Sequence, residues 1–175
     1  MDFNADHFAL FDLPREFRID PERLDKRYRE MQSMVHPDRY ANASEKEKRL
    51  SMQWATRINE AYQVLKAPLS RAAYLLRLSG EPLDIGNNTA MPPEFLAEQM
   101  EWREAVAEAR LARELTGLEQ LYHRVKQRMK RSYEQLAGLL DDQADYALAG
   151  DRIKRLMFLD RLLSEIDSAM AALET

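Results

Sequence analysis

The sequence predicts an all-α protein built from two small helical domains. Of its 175 residues, 45% are hydrophobic and 32% are charged, with only 5 Gly, a mixture typical of helical proteins. Apolar residues recur at spacings of three and four along most of the chain, which is the period of an amphipathic helix. Residues 79–93 interrupt this pattern with two Gly, three Pro and an Asn pair, as linkers do. We therefore expect one domain over residues 1–78, a linker over 79–93 and a second domain over 94–175.

The composition also excludes several classes of protein. The chain has no Cys and three widely separated His, which rules out disulfides and thiolate sites for zinc or iron–sulfur clusters. A net charge of −4 gives no overall field that favours nucleic acid. The N-terminus lacks a secretory signal, and no apolar stretch approaches the roughly 18 residues that a membrane span needs. We expect a cytoplasmic protein that binds neither nucleic acid nor membranes.

Two helices are expected before residue 36. A short one lies within residues 4–13, with Asn4 as its cap and Phe8, Phe11 and Leu13 as its apolar contacts. Asp20 followed by Pro21 then marks the start of a longer one, as a cap and a first-turn proline. Its apolar stripe is Leu24, Tyr28, Met31 and Val35. Pro37 disfavours a helical conformation at His36, so this helix should end there.

Two further helices complete the first domain. Ser44 to Glu47 has the form of a capping box and opens the third helix. Its predicted stripe is Leu50, Trp54, Ile58, Ala61 and Leu65. Because about eight residues connect it to the second helix, the two should pack antiparallel. Pro68 begins a short fourth helix that ends near Gly80, with apolar residues Ala72, Leu75, Leu76 and Leu78.

The second domain should be a bundle of three helices joined by short connections. The first covers residues 94–114, with the stripe Phe95, Trp102, Val106 and Ala109. Thr116 to Glu119 has a capping-box form and opens the second, with Leu118, Leu121, Val125, Ser132, Leu136 and Leu139 on one side. The third covers roughly 144–173, with the stripe Ile153, Leu156, Leu163, Ile166 and Met170.

The tripeptide His36-Pro37-Asp38 joins the second and third helices. Taken alone, it is a helix terminator with polar loop residues. Its helix also carries the basic residues Arg23, Lys26, Arg27 and Arg29, so helix and loop together form a candidate docking surface for an acidic partner. A proton-transfer pair of His36 and Asp38 is the enzymatic alternative, but the chain offers no nucleophile, phosphate loop or metal-ligand spacing beside it.

The first 78 residues resemble the J-domain family of co-chaperones. The residues that carry the resemblance are Phe8, Phe11, Leu13 and Pro14, the basic second helix, His36-Pro37-Asp38-Arg39-Tyr40, Ile58-Asn59-Glu60-Ala61-Tyr62, Leu65, Pro68, Arg71, Ala72 and Tyr74-Leu75. The resemblance implies docking on a DnaK-type chaperone and stimulation of its ATP hydrolysis. His36, Pro37 and Asp38 would then act by contact, and Arg39 and Tyr40 would contact the partner or support the loop.

The helix over 94–114 carries a second apolar stripe about 100° away from the first. It consists of Leu96, Met100, Ala107 and Leu111, and Glu101, Glu104 and Glu108 lie beside it. Ala107 and Leu111 are expected to widen the core. Leu96 and Met100, with Phe158 from the last helix, are expected to form an exposed apolar patch fringed by carboxylates. Such a patch suits a partner that has apolar and basic residues.

The second half resembles the C-terminal domain of HscB-type J-proteins of iron–sulfur cluster biogenesis. The matching segments are Phe95-Leu96-Ala97-Glu98-Gln99-Met100-Glu101-Trp102-Arg103-Glu104, Arg155-Leu156-Met157-Phe158-Leu159-Asp160-Arg161-Leu162 and Arg71-Ala72-Ala73-Tyr74-Leu75-Leu76. The resemblance implies a domain that binds the cluster-assembly scaffold (IscU-type) and a J-domain that delivers it to an HscA-type chaperone. The implied scaffold contacts are Leu96, Ala97, Met100, Glu101, Glu104, Glu108 and Phe158.

The resulting expectation is an L-shaped, monomeric, all-helical adaptor without enzymatic activity of its own. Since some relatives carry an added cysteine-rich metal site and this chain has no Cys, no metal or other cofactor is expected. A J-domain co-chaperone with a different client and a purely structural helical protein remain as alternatives.

Overall fold

A computed structural model describes residues 2, 4–40, 42–83 and 92–174 of the chain. All regular structure in these residues is helical, as the sequence predicts, and none of the helices there is both long and apolar enough to cross a membrane. The chain divides into two compact units, Met1–Leu78 and Ser79–Thr175. Residues 84–91 of the expected linker lie outside the described residues.

The first unit is organised around an antiparallel pair of helices, α2 (Pro21–Val35) and α3 (Glu45–Lys66). Early residues of α2 meet late residues of α3: the Tyr62 hydroxyl donates to Asp25 at 2.8 Å, and the rings of Tyr28 and Tyr62 stack with centroids 3.9 Å apart. At the other end of the pair, Ser51 contacts Val35. The antiparallel hairpin predicted from the sequence is thus confirmed.

Two short helices, α1 (His7–Leu10) and α4 (Pro68–Ser79), complete this unit. The His7 amide donates to the Tyr74 hydroxyl at 3.0 Å, and the two rings stack with centroids 4.3 Å apart, which joins α1 to α4. The largest fully buried side chains of the unit are Phe8, Phe11, Leu24, Ile58, Leu65 and Leu76. Burying one apolar side chain of this size stabilises the folded state by about 1.5–3 kcal/mol relative to leaving it exposed.

Two local predictions for this unit are wrong. The cap of α1 is Asp6 rather than Asn4, and the Asp6 carboxylate accepts a hydrogen bond from the Ala9 amide. Burial alone would raise the pKa of Asp6, but the hydrogen bonds from Ala9 and Arg15 together lower it. Leu50, which was expected in the stripe of α3, is 45% exposed, and Ser51 occupies the buried position instead. The caps of α2 (Asp20) and α3 (the Ser44–Glu47 capping box) are as predicted.

The second unit is a bundle of three helices, α5 (Pro93–Leu111), α6 (Leu115–Ala137) and α7 (Tyr146–Glu174), that pack on one another pairwise. A π-helical turn, Gly138–Gln143, and Ala144 in the left-handed region (φ 51°) reverse the chain between α6 and α7. The largest fully buried side chains are Phe95, Leu118, Leu136, Ile153, Leu156 and Leu162. The first turn of α5 contacts the middle of α7 through Phe95 and Phe158.

Four predictions for the second unit need correction. Helix α5 ends at Leu111 instead of residue 114, and α6 begins at Leu115 after Glu114, so the Thr116 capping box does not form. Leu111 is 86% exposed and Ala107 is exposed, so neither widens the core. On α7, Leu162 and Ala169 are buried, whereas the predicted Leu163 and Met170 are half-buried.

Candidate partner-binding surfaces

The His-Pro-Asp corner, defined as His36, Pro37 and Asp38, lies on the surface between α2 and α3. His36 caps the C-terminus of α2, and a 3-10 turn, Pro37–Tyr40, follows it. The side chains of His36 and Asp38 are 57% and 91% exposed. The Asp38 amide donates to His36 Nδ1 at 3.3 Å, and the same nitrogen lies 3.4 Å from Asp38 Oδ2. The imidazole is therefore oriented by its own loop and open to an approaching partner.

Side chains brace the end of α2 directly below this corner. The last carbonyls of a helix have no partner within it and must be satisfied from outside. Here the Ser33 carbonyl accepts from Arg39 at 3.2 Å, Met34 accepts from the Tyr40 hydroxyl at 3.3 Å, and Val35 accepts from the Ser51 hydroxyl at 2.7 Å. Arg39 and Tyr40 thus support the loop. Ser51 was not predicted from the sequence: it occupies a buried position of α3 next to Leu50, the apolar residue that was expected there.

The four basic residues predicted on α2 differ in how strongly they are already paired. Arg23 donates to the Asp12 carbonyl and lies 3.3 Å from its carboxylate, and Arg27 lies 3.1 Å from Glu30. Lys26 and Arg29 are exposed, and neither has an ion pair in the part of the chain that the structure describes. Since an exposed, unpaired cation attracts an acidic partner most strongly, these two residues contribute most to the positive charge that α2 presents.

The corner has the geometry of a contact surface rather than of a reaction site. Both side chains project into solvent, whereas catalytic groups are usually held in a cleft that excludes water. Within the described residues there is also no group of three or more acidic, His or Cys side chains that a metal ion would need. The arrangement suits a rigid loop that presents an imidazole and a carboxylate to another protein.

The Leu96–Phe158 surface of the second unit is defined as Leu96, Ala97, Met100, Glu101, Glu104, Glu108 and Phe158. Six of these seven residues lie on α5 and are exposed, with Leu96 at 39% and Met100 at 69% exposure. Exposed apolar side chains grouped on one helix and bordered by carboxylates are typical of a protein-binding surface. The structure therefore leaves this predicted group available on the outside of the bundle.

Phe158 is the exception, because it is half-buried and belongs to α7. Its ring meets the buried Phe95 ring edge-on, with centroids 5.9 Å apart and planes at 88°. The Arg103 guanidinium lies 5.8 Å from the Phe158 centroid. Through Phe95, the structure brings Phe158 to the first turn of α5, where Leu96 lies. It can offer a partner part of one aromatic face while it helps to hold α5 against α7.

Comparison with known proteins matches both units. The DnaJ domain family model covers residues 6–74, and that of the HSCB C-terminal oligomerisation domain covers residues 91–167. The co-chaperone protein HscB homolog of Azoarcus sp. (strain BH72) is 53% identical over 174 residues, covering 99% of this chain and 98% of the relative. The HscB homolog of Paraburkholderia xenovorans (strain LB400) is 47% identical, covering 98% of this chain and 97% of the relative.

Two solved structures resemble this one over nearly the whole chain. Chaperone HscB from Vibrio cholerae superposes with a TM-score of 0.86 at 36% identity, covering 97% of this chain and 99% of the other. Human co-chaperone HscB superposes with a TM-score of 0.89 at 32% identity, covering 96% of this chain and 83% of the other.

Proposed function

Because the chain belongs to the HscB family of J-domain co-chaperones, we propose that it delivers an iron–sulfur cluster assembly scaffold to a specialised DnaK-type chaperone. Residues 1–78 act as the J-domain and dock on the chaperone, which is of the HscA type. Residues 94–175 bind the scaffold, an IscU-type protein, and residues 79–93 connect the two. The protein is a cytoplasmic monomer that carries no cofactor.

The observation that carries the chaperone-binding half is the braced and exposed His-Pro-Asp corner, at the end of a helix that also carries the exposed Lys26 and Arg29. A rigid loop loses little conformational entropy when it binds, so its contacts contribute fully to docking. Docking stimulates the chaperone's ATP hydrolysis. The ATP site belongs to the chaperone, and His36 and Asp38 take no part in bond breaking.

The scaffold-binding half rests on the Leu96–Phe158 surface. Leu96, Met100 and part of Phe158 provide the apolar centre, and Glu101, Glu104 and Glu108 provide an acidic border. Charged groups at the edge of an interface steer the encounter and fix its orientation more than they add affinity. A scaffold with an apolar patch bordered by basic residues fits this pattern.

The first experiment measures the ATPase rate of an HscA-type chaperone with scaffold present, after addition of this protein or its His36→Gln variant. We expect stimulation by the parent protein and none by His36→Gln, with the melting temperature unchanged because His36 is exposed. His123→Gln removes an exposed imidazole from the second unit and is the matched control, which should stimulate normally. Equal stimulation by the parent and His36→Gln would refute the J-domain mechanism.

The second experiment measures scaffold affinity by calorimetry for the Leu96→Ala, Phe158→Ala double variant. Loss of the apolar centre should weaken binding at least 10-fold, since buried anchors typically contribute 1–2 kcal/mol or more each. Leu148→Ala, which removes a leucine 47% exposed at the start of α7, is the control and should bind like the parent. If the double variant binds like the parent, Leu96 and Phe158 are not scaffold contacts. If the parent itself does not bind scaffold while the corner remains active, the client is a different protein, which is the second candidate function.

A further inference from the structure

Arg152 on α7 has a hydrogen-bond donor that nothing in the described structure satisfies. Its Nη1 donates to Gln135 Oε1 on α6 at 2.5 Å. Its Nε is shielded from solvent and, among the described residues, has no hydrogen-bond partner. Buried donors in folded proteins are nearly always paired, and a charged donor is the most costly to leave unpaired. This Nε is out of reach of solvent and destabilises the bundle, so only the remaining N–H groups of this half-buried side chain can face an acceptor from outside.

The surroundings of Arg152 are cationic. Arg155 and Arg128 are its charged neighbours, and burial followed by these two charges lowers the pKa of the Arg152 guanidinium. Arg128 pairs with Glu98 at 3.0 Å, whereas neither Arg152 nor Arg155 has an ion pair within the described residues. Of the three guanidiniums, only that of Arg128 has an ion pair in this part of the structure. Like charges gathered without counterions are unfavourable unless an anion binds among them.

Arg155 connects this cluster to the Leu96–Phe158 surface. Its guanidinium lies over the face of the Phe95 ring, 4.8 Å from the centroid, and Phe158 meets the edge of the same ring. A single buried phenyl group therefore separates the cationic cluster from Phe158. Since a protein–protein interface usually buries about 800 Å² on each partner, an interface that includes Phe158 is large enough to extend to the half-buried Arg155 and to Arg152, three residues before it on α7.

We propose that Arg152 and Arg155 form a binding site for a carboxylate side chain of the protein that docks on the Leu96–Phe158 surface. This inference rests on the proposed scaffold-binding function and adds a requirement to it. A guanidinium binds a carboxylate through two parallel N–H donors, and neither Arg152 nor Arg155 has an ion pair within the described residues that would compete for one. The partner must then carry basic groups toward Glu101, Glu104 and Glu108 and an acidic group toward α7, a combination that permits one orientation only.

The inference predicts opposite effects of one substitution on stability and on binding. Arg152→Gln removes the unsatisfied donor and relieves the repulsion from Arg155 and Arg128, and the exposed Gln135 regains water as its partner. The free protein should melt at a higher temperature. Scaffold binding should weaken by about 30-fold or more, because the partner's carboxylate loses its counterion on burial. Arg155→Gln should also weaken scaffold binding.

The experiment compares the full-length parent protein, Arg152→Gln and Lys130→Gln by calorimetry with purified scaffold at low and high salt, and by thermal melting. Lys130 is an exposed cation of α6 about 200° around the helix from Arg128, so Lys130→Gln removes the same charge away from the site. We expect Lys130→Gln to bind like the parent. Arg152→Gln should bind weakly and show a smaller dependence of affinity on salt, because one ion pair is gone.

Three results would overturn the inference. If the parent binds scaffold and Arg152→Gln binds equally well, no carboxylate occupies the site. A lower melting temperature of Arg152→Gln with unchanged salt dependence would make Arg152 a structural residue. If the parent itself does not bind scaffold, the proposed function fails first and the inference with it, which distinguishes that outcome from the other two.

Discussion

The Ser51 hydroxyl of α3 donates a hydrogen bond to the Val35 carbonyl, the last of α2, across 2.7 Å. Both residues are buried, at 5% and 4% exposure, and Val35 directly precedes His36. This bond therefore fixes the separation of the two helices at the point where the His-Pro-Asp corner begins. It couples the packing of the helical pair to the position of the imidazole that we assign to chaperone contact.

Ser51→Ala should lower both stability and coupling to the chaperone. Removing the hydroxyl leaves the buried Val35 carbonyl unsatisfied, and this should reduce the free energy of unfolding by about 1–3 kcal/mol. Urea denaturation measures that loss. The matched control is Thr56→Ala, since the Thr56 hydroxyl bonds back to Met52 at 3.1 Å on an exposed face of the same helix, and it should change stability by less than about 0.5 kcal/mol. Equal effects of the two variants would contradict this role of Ser51.

Tyr40→Phe tests whether bracing of the corner matters for its action. The substitution removes only the hydroxyl that donates to the Met34 carbonyl at 3.3 Å. Because that carbonyl can turn to water at the surface, stability should fall by less than about 1 kcal/mol. Stimulation of the chaperone's ATPase should fall partially, by about 2- to 5-fold or roughly 0.5–1 kcal/mol of coupling, since the loop then spends less time in its docking geometry. Complete loss, as expected for His36→Gln, would instead make Tyr40 a direct contact.

The sequence was sufficient for features that depend on local chemistry and helical period. Asp20 with Pro21 and the Ser44–Glu47 box begin their helices as expected, because a cap acts only on the first turn that follows it. The stripe of α6 is buried as expected, and so is that of α2 apart from the half-buried Tyr28, because each of these helices packs mainly along one side. Positions that depend on which neighbour lies opposite were harder to predict.

Some positions could not be predicted without knowledge of the fold, as Ser51, Leu111 and Leu162 show. Ser51 is buried because a helix-end carbonyl lies opposite, a partner that hydropathy cannot reveal. Leu111 is exposed because α5 ends there, beyond the cover of its neighbours. The buried face of α7 shifts along the helix, so Leu162 takes the place that a fixed period gave to Leu163. Among the candidate sites, the exposed corner could be predicted from its sequence motif. The Arg152 cluster could not, because its residues come from both α6 and α7 and form no local sequence pattern.

The shift of the buried face on α7 gives a direct test with two adjacent leucines. Leu162 is 1% exposed, so Leu162→Ala should lower the free energy of unfolding by about 3 kcal/mol through lost burial and a residual cavity. Leu163 is half-buried, and Leu163→Ala should cost roughly 1 kcal/mol. Thermal or urea unfolding measures both. The reverse ranking would mean that the fixed-period interpretation of the sequence describes α7 better than the structure does.

His7 should make the first unit less stable in mild acid. Burial, followed by the charges of Arg57 and Arg77, lowers the pKa of His7, although Asp6 and Glu60 act in the opposite direction. Its Nδ1 is buried and lacks a hydrogen-bond partner in the described residues, and its ring stacks on Tyr74. The unfolded chain therefore binds a proton at His7 more readily than the folded chain does. Stability from this group is present above pH of about 6.5 and is lost as pH falls toward the folded pKa.

His7→Phe isolates this contribution, because phenylalanine keeps the stacked ring and cannot be protonated. The melting temperatures of the parent and His7→Phe should be compared from pH 7.5 down to about pH 4.5, below the unperturbed histidine pKa. Carboxylates that titrate in the same range affect both proteins and cancel in the difference. We expect the parent to lose more stability than His7→Phe as the solution is acidified. A difference that stays constant with pH would show that the contact between α1 and α4 tolerates a charged imidazole.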